Sequence, residues 1–583
     1  MNLFAEIKTL TLDALDAMTR EGVLPQGLDT CGVAVEPPRD PAHGDMATNA
    51  AMVLAKPAGL KPRDIAGPLA ERLAADPRVE GVEVAGPGFI NLRLAERAWI
   101  DVLGAILSQG ADYGRCDLGQ GRSANVEFVS ANPTGPLHVG HTRGAVFGDA
   151  LARVLAFAGW AVTREYYIND GGAQVDTLAR SAYLRYREAL GHEVGEIPAG
   201  LYPGDYLRDV GRDLAARFGD AYAEAGESEW LAPFREAATE AMMAIIREDL
   251  AALGVTMDVY FSEKALYGTG RIEATLESLD AQGLIYQGVL EPPKGKKPED
   301  WEPRPQTLFR ASAFGDDTDR PIRKADGSWT YFAPDIAYHK DKIDRGFDLL
   351  VDVLGADHGG YVKRMAAAVR ALKGNRDVAF EARLCQLVRL FKNGEPYKMS
   401  KRSGQFVTLR DVLDEVGPDV TRFVMLMRKN DAALDFDFAA ALEQSRENPV
   451  WYVQYAHART VSVFGRARDV GIQLEEQPDV EEIAPRLSAS PELALLAKLS
   501  AFPRVVESAA QSHEPHRVAF YLYELAGEFH AWWNRGHDDP SLRVVVEGDE
   551  EATRARLCLV RGVRVVIANG LGLLGVTPMD ELR

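Results

Sequence analysis

A strand–helix–strand unit constrains the fold of this chain more than any other feature. Residues 124–129 and 161–168 are strand-like, and residues 139–158 between them have the pattern of one helix that Gly159 ends. Strands joined by such a helical crossover lie parallel in one sheet. A later run, residues 347–354, is apolar enough to be a strand buried on both faces. The sequence therefore predicts an α/β fold with a parallel sheet.

The regions on either side of this unit have different patterns of predicted secondary structure. Helical spacing and a short strand pair, residues 82–84 and 89–94, predict a small α+β domain before it. Helical patterns dominate after about residue 435, over residues 439–468, 491–508, 516–535 and 551–571. We expect an N-terminal domain over 1–112, a catalytic domain over 113–434 with an insertion at about 176–320, and an all-α domain over 435–583.

Composition places limits on function. The chain carries 66 Lys and Arg against 86 Asp and Glu, a formal charge of −20. This balance argues against a general nucleic-acid binder. The four cysteines are far apart and predict neither a zinc knuckle nor a disulfide framework. Since neither a signal peptide nor a membrane span is evident, we expect a cytoplasmic protein that does not contact membranes.

A histidine motif lies between the first strand and the first helix. Residues 136–141 read PLHVGH, which puts His138 and His141 one turn apart at a helix start, where phosphate binds favourably. Both could donate to a phosphate as it is transferred, and Gly140 would allow close approach. Half of a zinc site, or two solvated histidines, are the alternatives.

A cationic run, KMSKRSG, occupies residues 398–404. Such a loop suits a triphosphate, although a solvated basic turn is the alternative for the run alone. Together the two motifs resemble the HIGH and KMSKS signatures of class I aminoacyl-tRNA synthetases. That resemblance implies catalytic roles for Lys398 and Lys401 beside the histidines. It also implies ATP contacts from Gly140, Met399 and Ser400.

Four further segments resemble the arginyl-tRNA synthetases over nearly the whole chain. They are residues 127–133 (EFVSANP), 331–338 (YFAPDIAY), 448–459 (NPVWYVQYAHAR) and 569–576 (NGLGLLGV). The segment NDGGAQ at 169–174 also resembles that family, without a clear role. The family implies a Rossmann-type catalytic domain with an insertion, a small α+β domain that meets the tRNA elbow, and an α-helical anticodon-binding domain.

A guanidinium ligand requires carboxylates that accept forked hydrogen bonds. Tyr331 and Asp335, four apart on a predicted helix, face one way, and Glu263 matches a second acidic position of the family's pocket. An ordinary surface acid is the alternative for each carboxylate. By resemblance, Ser130 and Asn132 hold the backbone end of arginine. Glu127 is a supporting candidate.

The remaining candidates contact ATP or tRNA by resemblance. Residues 355–360 (GADHGG) follow the apolar strand, so Gly355 and Asp357 are candidates for the ATP ribose, with a structural turn as the alternative. Aromatic residues that could stack on anticodon bases, and residues that align with the tRNA-elbow contact, complete the set: Tyr455, Phe529, Trp533, Phe89 and Asn91. Core packing is the competing explanation for the aromatic residues at 529–533 and for Phe89.

The resemblance implies an arginine–tRNA ligase that uses ATP with Mg²⁺, without zinc, and charges the 2′-hydroxyl of tRNA(Arg). A monomer is expected, and activation is expected to require bound tRNA. A class I synthetase for another amino acid, a non-catalytic tRNA-binding paralogue and a nucleotidyltransferase are the alternatives. Residues 361–410 carry 12 Lys and Arg against 3 Asp and Glu. Attraction to phosphate is therefore local, and a salt-sensitive interaction with tRNA is expected.

Overall fold

The structure is a computed structural model that describes residues 1–38, 40–290, 304–397 and 406–582. Its contacts divide the chain into two compact units. One comprises Met1–Cys116 together with Gln444–Arg583, and the other is Asp117–Glu443. The two ends of the chain thus fold together in one unit.

The first unit combines a small sheet with a helical bundle. Its N-terminal elements are α1 Leu3–Arg20, β1 Val35–Glu36, β2 Met46–Thr48, α2 Ala50–Ala58, α3 Pro62–Leu73, β3 Val79–Ala85, β4 Phe89–Leu94 and α4 Glu96–Gln109. The four strands form an antiparallel sheet in the order β1-β2-β4-β3.

The described part of the second unit carries three sheets. Its elements are β5 Ser123–Glu127, α5 Val139–Phe157, β6 Ala161–Ile168, α6 Ala173–Ala189, α7 Tyr206–Phe218, α8 Glu227–Ala252, β7 Val259–Ser262, α9 Arg271–Ala281, β8 Ile285–Gly288, β9 Gln306–Phe309, β10 Arg320–Pro321, α10 Phe332–Asp344, β11 Leu349–Gly355, α11 Gly359–Leu372, β12 Ala379–Cys385, β13 Val388–Lys392, β14 Glu395–Pro396, α12 Leu409–Val416, α13 Pro418–Leu426, β15 Leu434–Asp437 and α14 Phe438–Leu442.

The central sheet of this unit has five parallel strands in the order β12-β11-β5-β6-β7. The chain runs outward from β5 through β6 to β7, and β11 then returns to the other side of β5. This reversal is the topological switch point at which open α/β sheets bind ligands. The predicted parallel sheet of the Rossmann type is confirmed.

The stretch predicted as an insertion is interrupted by the fifth strand of the central sheet. Helices α6, α7 and α8 pack their own aromatic core, in which the rings of Tyr183 and Trp230 stack with centroids 3.9 Å apart. Strand β7 then joins β6, and only afterwards does the separate three-stranded sheet β10-β9-β8 form. Four residues are too few to give a clear strand pattern, which explains why the sequence did not reveal β7.

The C-terminal part of the first unit is helical, as predicted. Its helices are α15 Pro449–Asp469, α16 Val480–Ile483, α17 Ser490–Ser500, α18 Phe502–Ser512, α19 His516–Asp538 and α20 Glu550–Leu574. Helix α4 packs on α17 and α20. The Tyr113 hydroxyl donates to the Leu499 carbonyl, 3.2 Å away, and the Asn569 amide donates to the carbonyls of Gly110 and Tyr113. These contacts join the two ends of the chain.

Two helices predicted as continuous are each divided. The pattern over 439–468 breaks between α14 and α15, where Asn448 caps a new helix that starts at Pro449. The pattern over 491–508 breaks at Ala501, with Pro503 in the first turn of the next helix. Proline has no N–H to donate and its ring clashes with the preceding turn, so an apolar period alone overestimates helix length.

One described helix, Glu550–Leu574, is long and apolar enough to cross a membrane by length and composition alone. Two thirds of its apolar stretch is buried, and the helix packs against α15 and α19. It is the central helix of the C-terminal bundle.

Candidate active site

The predicted ligand-binding side chains of the catalytic unit meet at one edge of the central sheet. Ser130 follows β5, Glu263 follows β7 and Asp357 follows β11. The crossover helices run antiparallel to the strands, so their first turns lie at the same edge. The first turn of α5 carries the histidine motif, and that of α10 carries Asp335. All of these residues therefore lie at the carboxyl edge, near the switch point.

The two histidines form one stacked unit. His138 is the N-cap of α5, and its Nδ1 accepts from the Gly140 amide at 3.0 Å. The Nδ1 of His141 accepts in turn from the His138 amide at 3.4 Å. The rings stack with centroids 3.8 Å apart. The pair thus caps its own helix.

This geometry fixes where the histidine protons reside. Burial lowers the pKa of His138, and burial together with His138 lowers the pKa of His141 to about 4. Both rings are therefore neutral at pH 7. Because each Nδ1 accepts a backbone N–H, each proton resides on Nε2. The pair presents two neutral Nε2–H donors, which suits hydrogen bonding to phosphate oxygens.

Gly140 has a steric reason to be glycine. A Cβ at this position would lie 2.8 Å from Cε1 and 2.9 Å from Nδ1 of His138. The His138 ring therefore occupies the space that a side chain would need. Gly140 thus makes room for the His138 ring, and the close approach of a ligand at Gly140 stays a prediction.

Two carboxylates in the candidate guanidinium site lack a cationic partner. Glu263 is buried and accepts from the Tyr267 hydroxyl at 2.9 Å, while Asp335 is half-buried. Neither carboxylate forms an ion pair with a cationic side chain among the described residues. Burial raises the pKa of Glu263. It also raises the pKa of Asp335 to about 7, and nearby carboxylates add to that rise.

The other carboxylates around this site are neutralised. The buried Lys342 donates to Glu127 at 2.5 Å and to Asp352 at 3.0 Å. The ring nitrogens of His339 face the Asp352 carboxylate and the Asp335 carbonyl, each at 2.9 Å. The Asp352 carboxylate therefore has both Lys342 and His339 as hydrogen-bonding partners. This leaves Glu263 and Asp335 as the carboxylates that are available to a cationic ligand.

Glu165 is likewise satisfied. It is fully buried and accepts from both Nη1 and Nη2 of Arg345 at 2.8 Å. The Tyr338 hydroxyl donates to it at 2.8 Å and the Asn125 amide at 2.7 Å. It is therefore a structural carboxylate and does not compete for the ligand.

Ser130 lies in an unusual turn at the end of β5. Val129 and Ser130 have φ of 71° and 40°, a left-handed conformation that β-branched residues rarely adopt. The Ser130 hydroxyl holds the turn, because it donates to Glu127 at 2.9 Å and accepts from the Tyr167 amide at 3.1 Å. Any contact from Ser130 to arginine is thus left to its backbone groups or one remaining lone pair.

The segment at 169–174 supports its neighbours. Asp170 accepts from the Ser262 hydroxyl at 2.6 Å and from the Lys264 amide at 2.9 Å, and so fixes the turn that presents Glu263. Asn132 is exposed and its amide donates to Gln174 at 2.7 Å. No role was predicted for this segment, and its hydrogen bonds position both ends of the candidate arginine site.

Three other predicted residues lie on the surface. Tyr331 is 76% exposed and stands at the N-cap of α10, just before the helix in which the sequence placed it. Gly355 ends β11, where a Cβ would lie 2.5 Å from Oδ1 of Asp357. The Asp357 carboxylate is exposed to solvent, with the His358 ring 3.7 Å away. Lys398, Met399, Ser400 and Lys401 lie outside the described residues, as does the tract 291–303.

Tyrosines that the sequence did not indicate surround the carboxylates. Burial raises the pKa of Tyr167 well above its usual value, and Glu263, Asp335 and Glu127 add to the rise. The pKa of Tyr361 rises in the same way. Together with Tyr267, they place hydroxyl groups among the carboxylates. Tyr167 lies at the end of a predicted strand at the ligand edge, which was the available signal.

The candidate anticodon residues have very different environments. Phe529 is fully buried, so a base cannot stack on it in this conformation and its predicted stacking role does not fit. The Tyr455 ring stacks with Trp451 and His530, and Arg459 lies 4.3 Å from its centroid. Trp533 is half-buried and lines a cavity of about 260 Å³.

The candidate elbow residues lie on neighbouring positions of β4. Phe89 is 43% exposed, which argues against the core-packing alternative, whereas Asn91 is 6% exposed. Both line one cavity of about 890 Å³ together with His43, Thr48 and Met52. In the described part of the chain, no group of three or more His, Cys, Asp or Glu side chains could hold a metal ion.

Family models match three parts of the chain. Residues 5–94 match the arginyl tRNA synthetase N-terminal domain, and residues 102–196 match the catalytic domain of class I tRNA synthetases (R). Residues 453–582 match the DALR anticodon binding domain. The arginine–tRNA ligase of Paracoccus denitrificans is 65% identical over the full length of both chains. This chain belongs to the arginyl-tRNA synthetase family.

Solved structures agree with this assignment. A putative arginyl-tRNA synthetase from Campylobacter jejuni is 32% identical and superposes with a TM-score of 0.71, covering 84% of this chain and all of that one. The arginyl-tRNA synthetase of Thermus thermophilus shares the fold at 22% identity, with a TM-score of 0.72 over the full length of both chains. The family expectation from the signature motifs is confirmed.

The fit of His138 over Gly140 gives a first prediction. We expect Gly140→Ala to displace the His138 ring and to slow arginine activation about 100-fold, because a misplacement of a catalytic group by about 1 Å can lower the rate by that factor. Gly144→Ala is the matched control on α5, since its Cβ would meet nothing within 4 Å. Pyrophosphate exchange measures the effect, and equal rates for the two variants would contradict it.

The uncompensated Asp335 gives a second prediction. A guanidinium requires the ionised carboxylate, so binding below the pKa of about 7 must release a proton. We expect the dissociation constant for arginine to rise up to about tenfold for each pH unit below 7 and to level off above it. Calorimetry in buffers of different ionisation enthalpy measures both the affinity and the proton release.

The matched control is Asp335→Asn, which should bind arginine weakly and with a flatter pH profile. The raised pKa also makes ionised Asp335 unfavourable for folding. Stability that the protonated form contributes at low pH is therefore lost as the pH rises through 7. The variant should thus melt at a higher temperature than the parent at pH 8, with a smaller difference at pH 5. A pH-independent affinity of the parent chain would refute this account of the site.

Proposed function

We propose that this chain activates L-arginine with ATP and transfers the arginyl group to the 2′-hydroxyl of the terminal adenosine of tRNA(Arg). The observation that carries the proposal is the pair of uncompensated carboxylates, Glu263 and Asp335, at the same sheet edge as the paired histidines. A cationic amino acid supplies the charge that this pair lacks, and its guanidinium suits forked hydrogen bonds.

In the first step, a carboxylate oxygen of arginine attacks the α-phosphorus of ATP and pyrophosphate leaves. The neutral Nε2–H groups of His138 and His141 donate to phosphate oxygens as negative charge shifts toward the leaving group. Lys398 and Lys401 are proposed to neutralise that charge, with Met399 and Ser400 beside them. Mg²⁺ accompanies ATP and screens the same charge.

Residues around the carboxyl edge of the central sheet orient the substrates. Tyr331 covers the guanidinium that Glu263 and Asp335 bind. Ser130 and Asn132 hold the backbone end of the amino acid. Exposed Asp357, beside Gly355, accepts from the ribose hydroxyls of ATP, and Gly140 keeps the nucleotide close to α5. Each of these roles is a proposal that follows from position and chemistry.

In the second step, the 2′-hydroxyl attacks the carbonyl carbon of the adenylate, its proton is released and AMP leaves. The proposed tRNA contacts are Phe89 and Asn91 in the N-terminal part (residues 1–112) and Trp533 and Tyr455 in the C-terminal part (residues 435–583). Residues 113–434 carry the chemistry. A cytoplasmic monomer without membrane contact and without zinc completes the proposal.

Charging of total tRNA tests the function directly. We expect labelled arginine, alone among the twenty amino acids, to appear in acid-precipitable tRNA. Glu263→Gln should raise the KM for arginine at least about tenfold, because a charged hydrogen bond contributes roughly 1.5–3 kcal/mol. Absence of arginyl-tRNA with the parent chain would overturn the proposal. Charging with another amino acid instead would support the runner-up, a class I synthetase of different specificity.

Exchange of pyrophosphate into ATP gives the accompanying control. Rates measured with and without tRNA should differ strongly if activation requires bound tRNA. An exchange rate that is the same in both conditions would remove that requirement while leaving the charging reaction intact.

The different burial of two aromatic residues gives a further prediction. Trp533→Ala should raise the KM for tRNA about tenfold or more, because stacking on one base contributes roughly 1–3 kcal/mol. Phe529→Ala is the comparison, and it should instead lower the stability of the protein by about 3–5 kcal/mol through a core cavity. Melting curves and charging kinetics separate the two effects, and an unchanged tRNA KM for Trp533→Ala would exclude it as a contact.

A further inference from the structure

Arg143 lies on α5, two residues after His141, and is 2% exposed. Its guanidinium donates to four backbone carbonyl oxygens. Nη1 lies 3.0 Å from the Gln386 oxygen and 2.7 Å from the Ala432 oxygen. Nη2 lies 3.2 Å from the Arg428 oxygen and 2.8 Å from the Lys429 oxygen. The side chain therefore links one helix to two other segments of the catalytic unit.

These segments form the base from which the chain leads to residues 398–405. Gln386 lies between β12 and β13, and β13 continues through β14 to residue 397. The other three carbonyls belong to the connection between α13 and β15, and β15 pairs in parallel with β13. The Asn430 amide donates to the Leu384 carbonyl at 2.9 Å, which ties the connection to the same place.

The stretch after residue 405 is attached to the same helix start. The Val139 amide donates to the Val407 carbonyl at 3.1 Å, and the Leu409 amide donates to the Leu137 carbonyl at 2.7 Å. The Phe406 ring lies edge-on to His138 with centroids 6.0 Å apart. Both stretches that flank residues 398–405 are thus anchored to the first turns of α5.

We infer that Arg143 is a positioning residue that holds the phosphate-binding end of α5 in register with the base formed by β13 and the connection between α13 and β15. This inference rests on the proposed function, since it assigns both motifs to one phosphate group. Arg143 thereby fixes the distance between the start of α5 and this base.

Arginine is the side chain that this arrangement requires. Its two Nη groups supply four N–H donors in a rigid planar fork, one for each carbonyl. The described hydrogen bonds of the guanidinium all go to carbonyl dipoles, three of them just beyond the C-terminus of α13, where a cation is favoured. Lysine keeps the charge but has one nitrogen with three donors, so it cannot span both segments.

The experiment compares Arg143→Lys with Arg422→Lys in the full chain. Arg422 is a matched control because it is also buried and lies on α13, where it pairs with Asp149 of α5. Arginine activation and thermal unfolding are measured for both variants. We expect both to melt at lower temperature. Only Arg143→Lys should lower kcat or raise the KM for ATP, by about 100-fold in kcat/KM, while its arginine affinity stays within about threefold of the parent.

A second variant covers the case in which Arg143→Lys does not fold. Asn430→Ala loosens the same connection from its other side and leaves the buried guanidinium in place. It should show the same effect on ATP kinetics at smaller size, with arginine affinity unchanged.

The outcomes separate the inference from the function. A parent chain that does not charge tRNA with arginine refutes the proposed function. Suppose that the parent is active and that the melting temperatures of Arg143→Lys and Arg422→Lys fall equally. An equal loss of kcat/KM for ATP in the two variants then refutes the positioning role alone. The positioning role is also refuted if Arg143→Lys loses as much affinity for arginine as for ATP. If Arg143→Lys does not fold, normal ATP kinetics in Asn430→Ala refute it.

Discussion

The ion pairs of Lys342 are the interaction on which the catalytic unit depends. Glu127 and Asp352 occupy paired positions on the neighbouring strands β5 and β11, so two carboxylates lie side by side in the sheet. Two buried like charges repel strongly in a medium of low dielectric constant. The Lys342 ammonium, fully buried between them, makes the central strand pairing possible. Removing one partner of such a buried network costs roughly 3–5 kcal/mol.

This interaction also decides which charges remain for a ligand. Lys342 pairs with Glu127 and Asp352, His339 also contacts Asp352, and Arg345 pairs with Glu165. The carboxylates left over face the substrate side. The proposed specificity for a cationic amino acid therefore depends as much on the internal pairing of the other acids as on Glu263 and Asp335. A count of acidic residues in the sequence cannot separate the two groups.

Much of the fold could be predicted because buried parallel strands leave a clear pattern. The strand at 161–168 and the helix beginning at residue 139 have nearly the predicted bounds. The four-residue strand β7 and the helix breaks at Pro449 and Pro503 were not predicted. The spacing of apolar residues shows neither which strands pair nor where a proline interrupts a helix. In the site, motif spacing indicated the histidines, but the protonation of their rings depends on the hydrogen bonds that cap α5. Phe529 and Trp533 are four residues apart on one helix, and depth within a bundle is not encoded in that spacing.

The joining of the two chain ends in one unit has a consequence for synthesis on the ribosome. Helix α4 emerges early, yet its partners α17 and α20 are made more than 380 residues later. The unit made of residues 117–443 is complete long before them and contains its own sheets and core. The nascent chain must therefore carry an exposed apolar face on α4, including Leu103 and Ile106, which lie beside Gly562 of α20, until translation is nearly finished. A chain that terminates early would keep that face exposed, which makes it a natural target for chaperones and proteases.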